Sequence, residues 1–394
     1  MRNDPIVIAS YARTPMASFQ GAFASLKATD LGAAAVRAAV DRACAPGSSV
    51  DRIYMGCVLP ATLGQAPARQ VALSAGLPDS VQATTVNKMC GSGMQAAIMA
   101  YEGLLSGAIE IAVAGGMESM TNAPFALPKH RGGARIGHDR IIDTMMMDGL
   151  EDAYILGKPM GAFAQDSADA YGFTREMQDN YAIRSLGRAL EAIKIGAFER
   201  EIVSVEVSTR SGSKFIETDE QPGVLDAKKI PLLKSAFAKN GTITAASSAS
   251  ISDGAAAVVI TRQSVAEKLG MSQIARVVGT ACHAHAPALF TTAPVYAINA
   301  LLAKVDWTIA DIDLFEINEA FATVAMIAAQ ELQISEDRLN VNGGATALGH
   351  PIGASGARII ATLLSALKHR GGRRGVASLC IGGGEATAMA FELI

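Results

Sequence analysis

Asn87-Lys-Met-Cys90-Gly-Ser-Gly93 opens a helical run to Leu105, and a strand-like run then closes on Gly115-Gly116. Near the other end of the chain, Gly349-His350-Pro-Ile-Gly353-Ala-Ser-Gly356 opens a helical run to Leu367, and a strand closes on Cys380-Ile-Gly-Gly-Gly384. Each copy sets a turn of small residues ahead of a helix, followed by an apolar strand that ends in glycines. That repetition predicts an internally duplicated α/β chain built from βαβ-rich halves. In the first copy Met94, Ile98, Tyr101 and Leu105 fall on one helical stripe, with Gly107 as its stop.

Working outward, strand signals at 6–9, 53–58, 82–86 and 109–114 alternate with helical runs, one of them at 31–43 capped by Thr29-Asp30. The alternation stops near Asn122. A basic, glycine-rich stretch from Lys129 to Arg140 follows, then Met145-Met-Met147 and helices at 160–170 and 174–195. It resumes with a strand at 255–260 and continues with strands at 274–279, 312–317, 375–380 and 387–393 and helices at 294–303, 319–330 and 354–367. The division expected is an N-terminal half of residues 1–121 plus 242–270, an inserted loop domain of 122–241, and a C-terminal half of 271–394.

The chain has 394 residues, half of them hydrophobic and only 5% aromatic, which suits helices packed closely on sheets. A formal charge of −3 gives no global attraction to nucleic acid or acidic membranes. Five scattered cysteines show no disulfide-framework spacing and favour a reducing compartment. The N-terminus reads as no targeting segment, the C-terminus as no peroxisomal address, and no uncharged apolar stretch approaches the ~18–20 residues of a membrane span. A cytoplasmic protein is the expectation.

Cys90 stands where a strand turns into a helix, with glycines beside it, so its sulfur sits near a helix N-terminus. Such a site favours an anion, and the expectation is a nucleophile whose pKa falls into the ~3.5–7.5 range. His350 precedes Pro351, which steers it towards extended backbone in a loop of small residues. It can activate Cys90 or stabilise an oxyanion. Cys380 opens a triple-glycine turn whose amides can form an anion-binding concavity, and it is a candidate second acid/base. Asn318 and Glu319 lie at a strand-to-helix junction, where the plain reading is a helix cap with an acid in the first turn. Cys282-His283-Ala-His285 has metal-like residues at spacing that rarely closes a site, so no metal is expected. Lys129, Arg131, Arg135 and Arg140 either meet phosphates or are a solvated loop, and Cys44 and Cys57 read as packing. The glycine runs match neither a P-loop nor a dinucleotide fingerprint.

Together these motifs, with Ala12-Arg-Thr-Pro15 at the start, resemble the thiolase family over the whole length: the acetyl-CoA acetyltransferase and 3-ketoacyl-CoA thiolase group. The resemblance implies two similar mixed-sheet halves in a five-layered αβαβα core, and a homo-oligomer, either a dimer or a homotetramer built as a dimer of dimers. It makes Cys90 the acylated nucleophile, His350 its activator and Cys380 the proton carrier. Asn318 would hold a water at the enolate oxygen, and the amides of Cys90 and Gly382 would form a second oxyanion hole. Substrate contacts would come from Ser248, Ala249, Ser250, Met160, Phe290 and Lys228. The substrates are acyl-CoA thioesters, no cofactor is needed, and nucleic acid and membrane are not partners. The reaction implied is reversible condensation of two acetyl-CoA, or cleavage of longer 3-ketoacyl-CoAs in fatty-acid β-oxidation. A ketoacyl synthase would replace the second cysteine, and a non-catalytic relative would lose a motif residue. Departures from the family pattern are Pro159 before Met160-Gly161, the Ser247–Ser250 stretch, Phe290 and Glu385-Ala386. They fall on the CoA contacts and the acyl wall and leave the reacting groups intact.

Overall fold

The computed structural model describes residues 4–210 and 212–394. Nine strands of four residues or more form one sheet: β1 (Ile6–Arg13), β2 (Arg52–Gly56), β3 (Gln82–Val86), β4 (Ile111–Ser119), β5 (Ser252–Arg262), β6 (Ala275–Ala284), β7 (Leu314–Ile317), β8 (Arg374–Ile381) and β9 (Glu385–Leu393). Their spatial order is β7-β8-β9-β6-β1-β5-β4-β2-β3, with the two-residue strand Ala17–Ser18 beside β5. Helices of seven residues or more are α1 (Ala28–Arg42), α2 (Pro67–Ser74), α3 (Ser92–Leu105), α4 (Met160–Ala170), α5 (Arg175–Lys194), α6 (Gln263–Leu269), α7 (Ala293–Val305), α8 (Ala322–Leu332) and α9 (Ser355–Arg370).

The duplication is visible in strand polarity. β2 pairs parallel with β4, β4 antiparallel with β5, and β5 antiparallel with β1. The second half repeats the series: β7 parallel with β8, β8 antiparallel with β9, and β9 antiparallel with β6. The halves meet through a short antiparallel ladder, Val7 opposite Arg276 and Ile8 opposite Ala275. One apolar core lies under α1 and α2, another beneath α7 and α8, and a third between the halves around α3 and α9. This is the duplication read from the sequence, in the five-layered form that the family resemblance implied. β1, β4 and all of β5 but Arg262 are buried along their length, as strands covered on both faces must be.

The central layer depends on close backbone approach. A Cβ on Gly356 would stand 2.3 Å from the Met94 nitrogen, and one on Gly93 would stand 2.8 Å from the Ala357 nitrogen. The glycines of the two matching motifs thus let the N-terminal ends of α3 and α9 touch. Both ends carry candidate reacting groups.

Some local readings change. α1 begins at Ala28 rather than 31, and the Asp30 carboxylate accepts the Lys27 N–H at 2.9 Å, so Lys27 and not Thr29 occupies the cap. Contrary to the sequence reading, one helical run, Pro287–Val305, is long and apolar enough to cross a bilayer by length and composition. It departs from helical geometry at Leu289, and its α7 part packs on β6 and β9 as the outer layer. The segment between β4 and β5 is tied back by Arg13, whose fully buried guanidinium donates to Glu201 (2.6 Å) and Asp219 (2.7 and 2.9 Å).

Candidate active site

Met89 adopts left-handed backbone (φ 47°), which throws the chain sharply into Cys90 before Gly91, the N-cap of α3. Ser92 braces this turn: its hydroxyl accepts the Lys88 N–H at 2.8 Å and donates to the Met89 carbonyl at 2.6 Å. A Cβ on Gly91 would lie 2.4 Å from Ile381, so the turn sits directly against the end of β8. That strand end carries Cys380 and continues into Gly382-Gly383-Gly384. Gly383 (φ 99°) and Gly384 (φ 87°) have conformations that other residues resist. The backbone amides of Gly382 and of Cys90 itself reach the Cys90 sulfur and favour its anion.

Cys90, His350, Cys380 and Gly382 line one cavity of about 80 Å³. Its remaining wall is almost wholly apolar, with Met120, Met160, Phe290, Phe321 and Ile352 among the lining residues. Phe290 meets Phe321 edge-on with centroids 6.2 Å apart.

His350 is held at three points. Its backbone N–H donates to the Ser250 carbonyl at 3.1 Å. Its Nδ1 lies 2.6 Å from the Ser355 hydroxyl, which itself donates to the Pro351 carbonyl at 3.0 Å. Ser355 must therefore accept from Nδ1–H, which leaves Nε2 as the basic nitrogen. The Asn318 Nδ2 stands 3.5 Å from both ring nitrogens, and its Oδ1 accepts from Arg358 at 3.2 Å.

The electrostatics differ from the sequence expectation. Burial pushes the Cys90 thiol up to about 11, against the pull of the two amides, rather than down into the thiolate range. Burial, and behind it the charge of Arg358, pushes His350 down to about 3. At neutral pH the resting pair is thiol and neutral imidazole. The helix N-terminus was legible in sequence, but the largely apolar cavity that outweighs it was not. Burial, then proximity to Cys90, raises Cys380 well above its ordinary value as well.

Other candidates divide. Ala249, Ser250 and Met160 line the cavity, whereas Ser248 turns away to donate to the Thr244 carbonyl at 2.8 Å. Lys228 is exposed on the turn Ala227–Leu232 and does not line this cavity. Asn318 and Glu319 do not cap a helix, because α8 starts three residues later with Phe321 as its cap. Glu319 is instead a buried hub that accepts from Tyr181, Ser185, Asn340 and Thr346 and locks α5 to the His350 loop. His283 and His285 pack on Tyr296. Lys129, Arg131, Arg135 and Arg140 are exposed, Cys57 is buried, and Cys44 is exposed rather than packed.

Sequence reasoning missed three supports. Ser355 sets the imidazole tautomer. Glu118, buried and raised to about 7 by burial, accepts from the amides of Val58, Leu59 and Gly353, pinning the loop after His350. Lys88 pairs with Glu385, joining the Cys90 turn to the strand after the glycine turn.

Comparison with known proteins agrees with this geometry. Residues 6–264 match the family model for the thiolase N-terminal domain and residues 271–393 that for the thiolase C-terminal domain. Acetyl-CoA acetyltransferase 2 of Arabidopsis thaliana is 47% identical over 99% of this chain and 97% of its own length. An acetyl-CoA acetyltransferase of Schizosaccharomyces pombe is 44% identical over the full length of both. Among solved structures, the Bacillus anthracis acetyl-CoA acetyltransferase superposes with a TM-score of 0.96 at 38% identity, over 99% of each chain. The Acat5 thiolase from Ascaris suum in complex with coenzyme A gives 0.93 at 41% identity, over 99% of this chain and 100% of that one. With two cysteines and one imidazole on a common cavity in a duplicated five-layered fold, the chain belongs to the thiolase family and is an enzyme of its acyltransferase class.

Proposed function

We propose that this thiolase catalyses the reversible Claisen condensation of two acetyl-CoA to acetoacetyl-CoA and CoA, by a ping-pong route through an acetyl group on Cys90. The observation that carries the reading is the size and lining of the cavity. At about 80 Å³, with both sulfurs, the imidazole and the Gly382 turn on its wall, it suits a small acyl group such as acetyl. Coenzyme A enters the proposal through the Ascaris suum relative, whose structure holds it.

In the first half-reaction, His350 Nε2 takes the Cys90 proton as the sulfur attacks the thioester carbon. Because thiol and imidazole are both neutral at rest, proton transfer is coupled to attack rather than completed beforehand. The amides of Cys90 and Gly382 receive the oxyanion. As the intermediate collapses, the CoA sulfur leaves with a proton from Cys380. Cys380 is then a desolvated thiolate, and the burial that raises its pKa makes it a strong base.

In the second half-reaction this thiolate removes a methyl proton from a second acetyl-CoA. The enolate oxygen is held by His350 and by the donor end of Asn318, through the water that the family resemblance implies. The carbanion attacks the acetyl carbon on Cys90, the C–S bond breaks, and the Cys90 thiol is regenerated. A homo-oligomer belongs to the same proposal. β3 leaves one edge of the sheet open, and the inserted segment exposes Phe125, Ile136, Ile141, Tyr154 and Leu156.

The test is a thiolysis series over 3-ketoacyl-CoAs from four to sixteen carbons. The four-carbon substrate should give the highest kcat/KM, with a steep fall at six. A flat profile to long chains would replace this reading with that of a broad-range 3-ketoacyl-CoA thiolase.

A further inference from the structure

Arg358 is the one charged residue of α9 before Lys368, and it is 1% exposed. Its Nη2 donates to Asn318 Oδ1 at 3.2 Å, while its Nη1 lies 3.7 Å from Glu316 Oε2 on β7. Glu316 and Asn318 are two residues apart, so the end of one strand presents a carboxylate and an amide to the same guanidinium.

The chemistry of this contact is one-sided. A guanidinium has five donors and no acceptor, so only the oxygen of a side-chain amide can face it. Turning Asn318 over would press its NH₂ group against Arg358 and aim an acceptor at the site. The contact therefore fixes Nδ2 towards His350, 3.5 Å from its ring nitrogens. In the condensation the enolate oxygen carries negative charge and needs a donor. An amide free to flip would offer it an oxygen part of the time. The first turn of α9 thus orients both enolate-binding side chains, Ser355 through the imidazole tautomer and Arg358 through the amide flip.

We propose that Arg358 is a positioning residue for the carbanion half-reaction, holding the donor end of Asn318 towards the enolate oxygen while Glu316 anchors the guanidinium. The inference rests on the role given to Asn318 above. It predicts an asymmetry that a structural role would not produce. Acylation of Cys90 uses His350 and two backbone amides and should be spared, whereas enolate formation should suffer.

Arg358→Met alone would leave the buried Glu316 carboxyl, whose pKa burial already raises to about 8, without its paired cation, and can fail to fold, so the test variant Arg358→Met/Glu316→Gln replaces both partners together. Two rates are measured on the full-length enzyme with acetyl-CoA: appearance of the acetyl-enzyme by intact mass, and exchange of acetyl-CoA methyl hydrogens with D₂O. The double variant should acylate within about threefold of wild type and exchange on the order of a hundredfold more slowly, the scale of one lost oxyanion donor. Asn318→Asp, which keeps an acceptor for Arg358 but loses the donor, should show the same split. Arg358→Lys retains a donor-only group and should recover about tenfold of the lost exchange. Exchange within about threefold of wild type in a folded double variant, or equal loss of both rates, overturns the proposal. A wild-type protein that neither acylates nor exchanges overturns the catalytic reading and this inference with it. A competent wild type beside an unaffected variant overturns this inference alone.

Discussion

Phe290→Ala should lengthen the acyl chain that the enzyme accepts, by an amount the cavity sets. Phe290 is 2% exposed and walls a space of about 80 Å³. A cavity of ~150 Å³ is known to admit benzene, and this smaller one favours an acetyl group over a ring-sized or longer chain. Cutting the phenyl away adds room for the two methylenes by which a butyryl group on Cys90 exceeds an acetyl group. At about 0.8 kcal/mol for each buried methylene, the six-carbon 3-ketoacyl thioester gains about 1.6 kcal/mol on the four-carbon one. That is roughly a fifteenfold rise in the ratio of their kcat/KM values. Taking the ratio within one protein cancels losses in active fraction. This matters because removing a buried phenyl costs about 3–5 kcal/mol of stability, and here it also breaks the edge-on contact with Phe321. The assay is thiolysis of both substrates at low temperature, with a melting curve to show the variant folded. A ratio within about twofold of wild type in folded protein would refute the claim that this wall sets chain length.

Cys380→Ser should leave Cys90 acetylation detectable by mass while condensation slows by at least about a hundredfold, and unaffected condensation would reassign the base. Ser355→Ala frees the imidazole to take its other tautomer and should lower kcat/KM by about 10- to 100-fold, with Ser355→Thr restoring most of it. For stability against pH, Glu118 has a folded pKa of about 7 against an ordinary 4.5, so the folded state binds the extra proton. Its contribution is most favourable below about pH 4.5 and is lost as pH rises through 7. Urea midpoints should accordingly fall less between about pH 5 and pH 8 in Glu118→Gln than in wild type. An equal fall in both proteins would mean that Glu118 is already ionised.

The chain states its reaction class in local motifs, and the reason is physical. A nucleophile on a sharp strand-to-helix turn needs small neighbours, and a triple-glycine turn needs positive φ. Cys90-Gly-Ser-Gly93 and Cys380-Ile-Gly-Gly-Gly384 write those needs into adjacent letters. Helices announced themselves by period, so α3 and α4 fall on the residues the pattern indicates. The duplicated halves showed because each half repeats one order of elements.

Tertiary structure alone decided what depends on residues brought from afar. Desolvation is a property of the assembled cavity, so no motif could show that burial disfavours the charged forms of Cys90 and His350. Glu319 looked like a first-turn acid because its four partners lie on α5, at 340 and at 346. The one clue to Arg358, a single charge inside an apolar helix, acquires meaning only when β7 lays Asn318 and Glu316 against it. The order of letters determined which groups react, and the packing of the two halves determined their protonation and orientation, because fields and solvent exclusion are summed over space rather than along the chain.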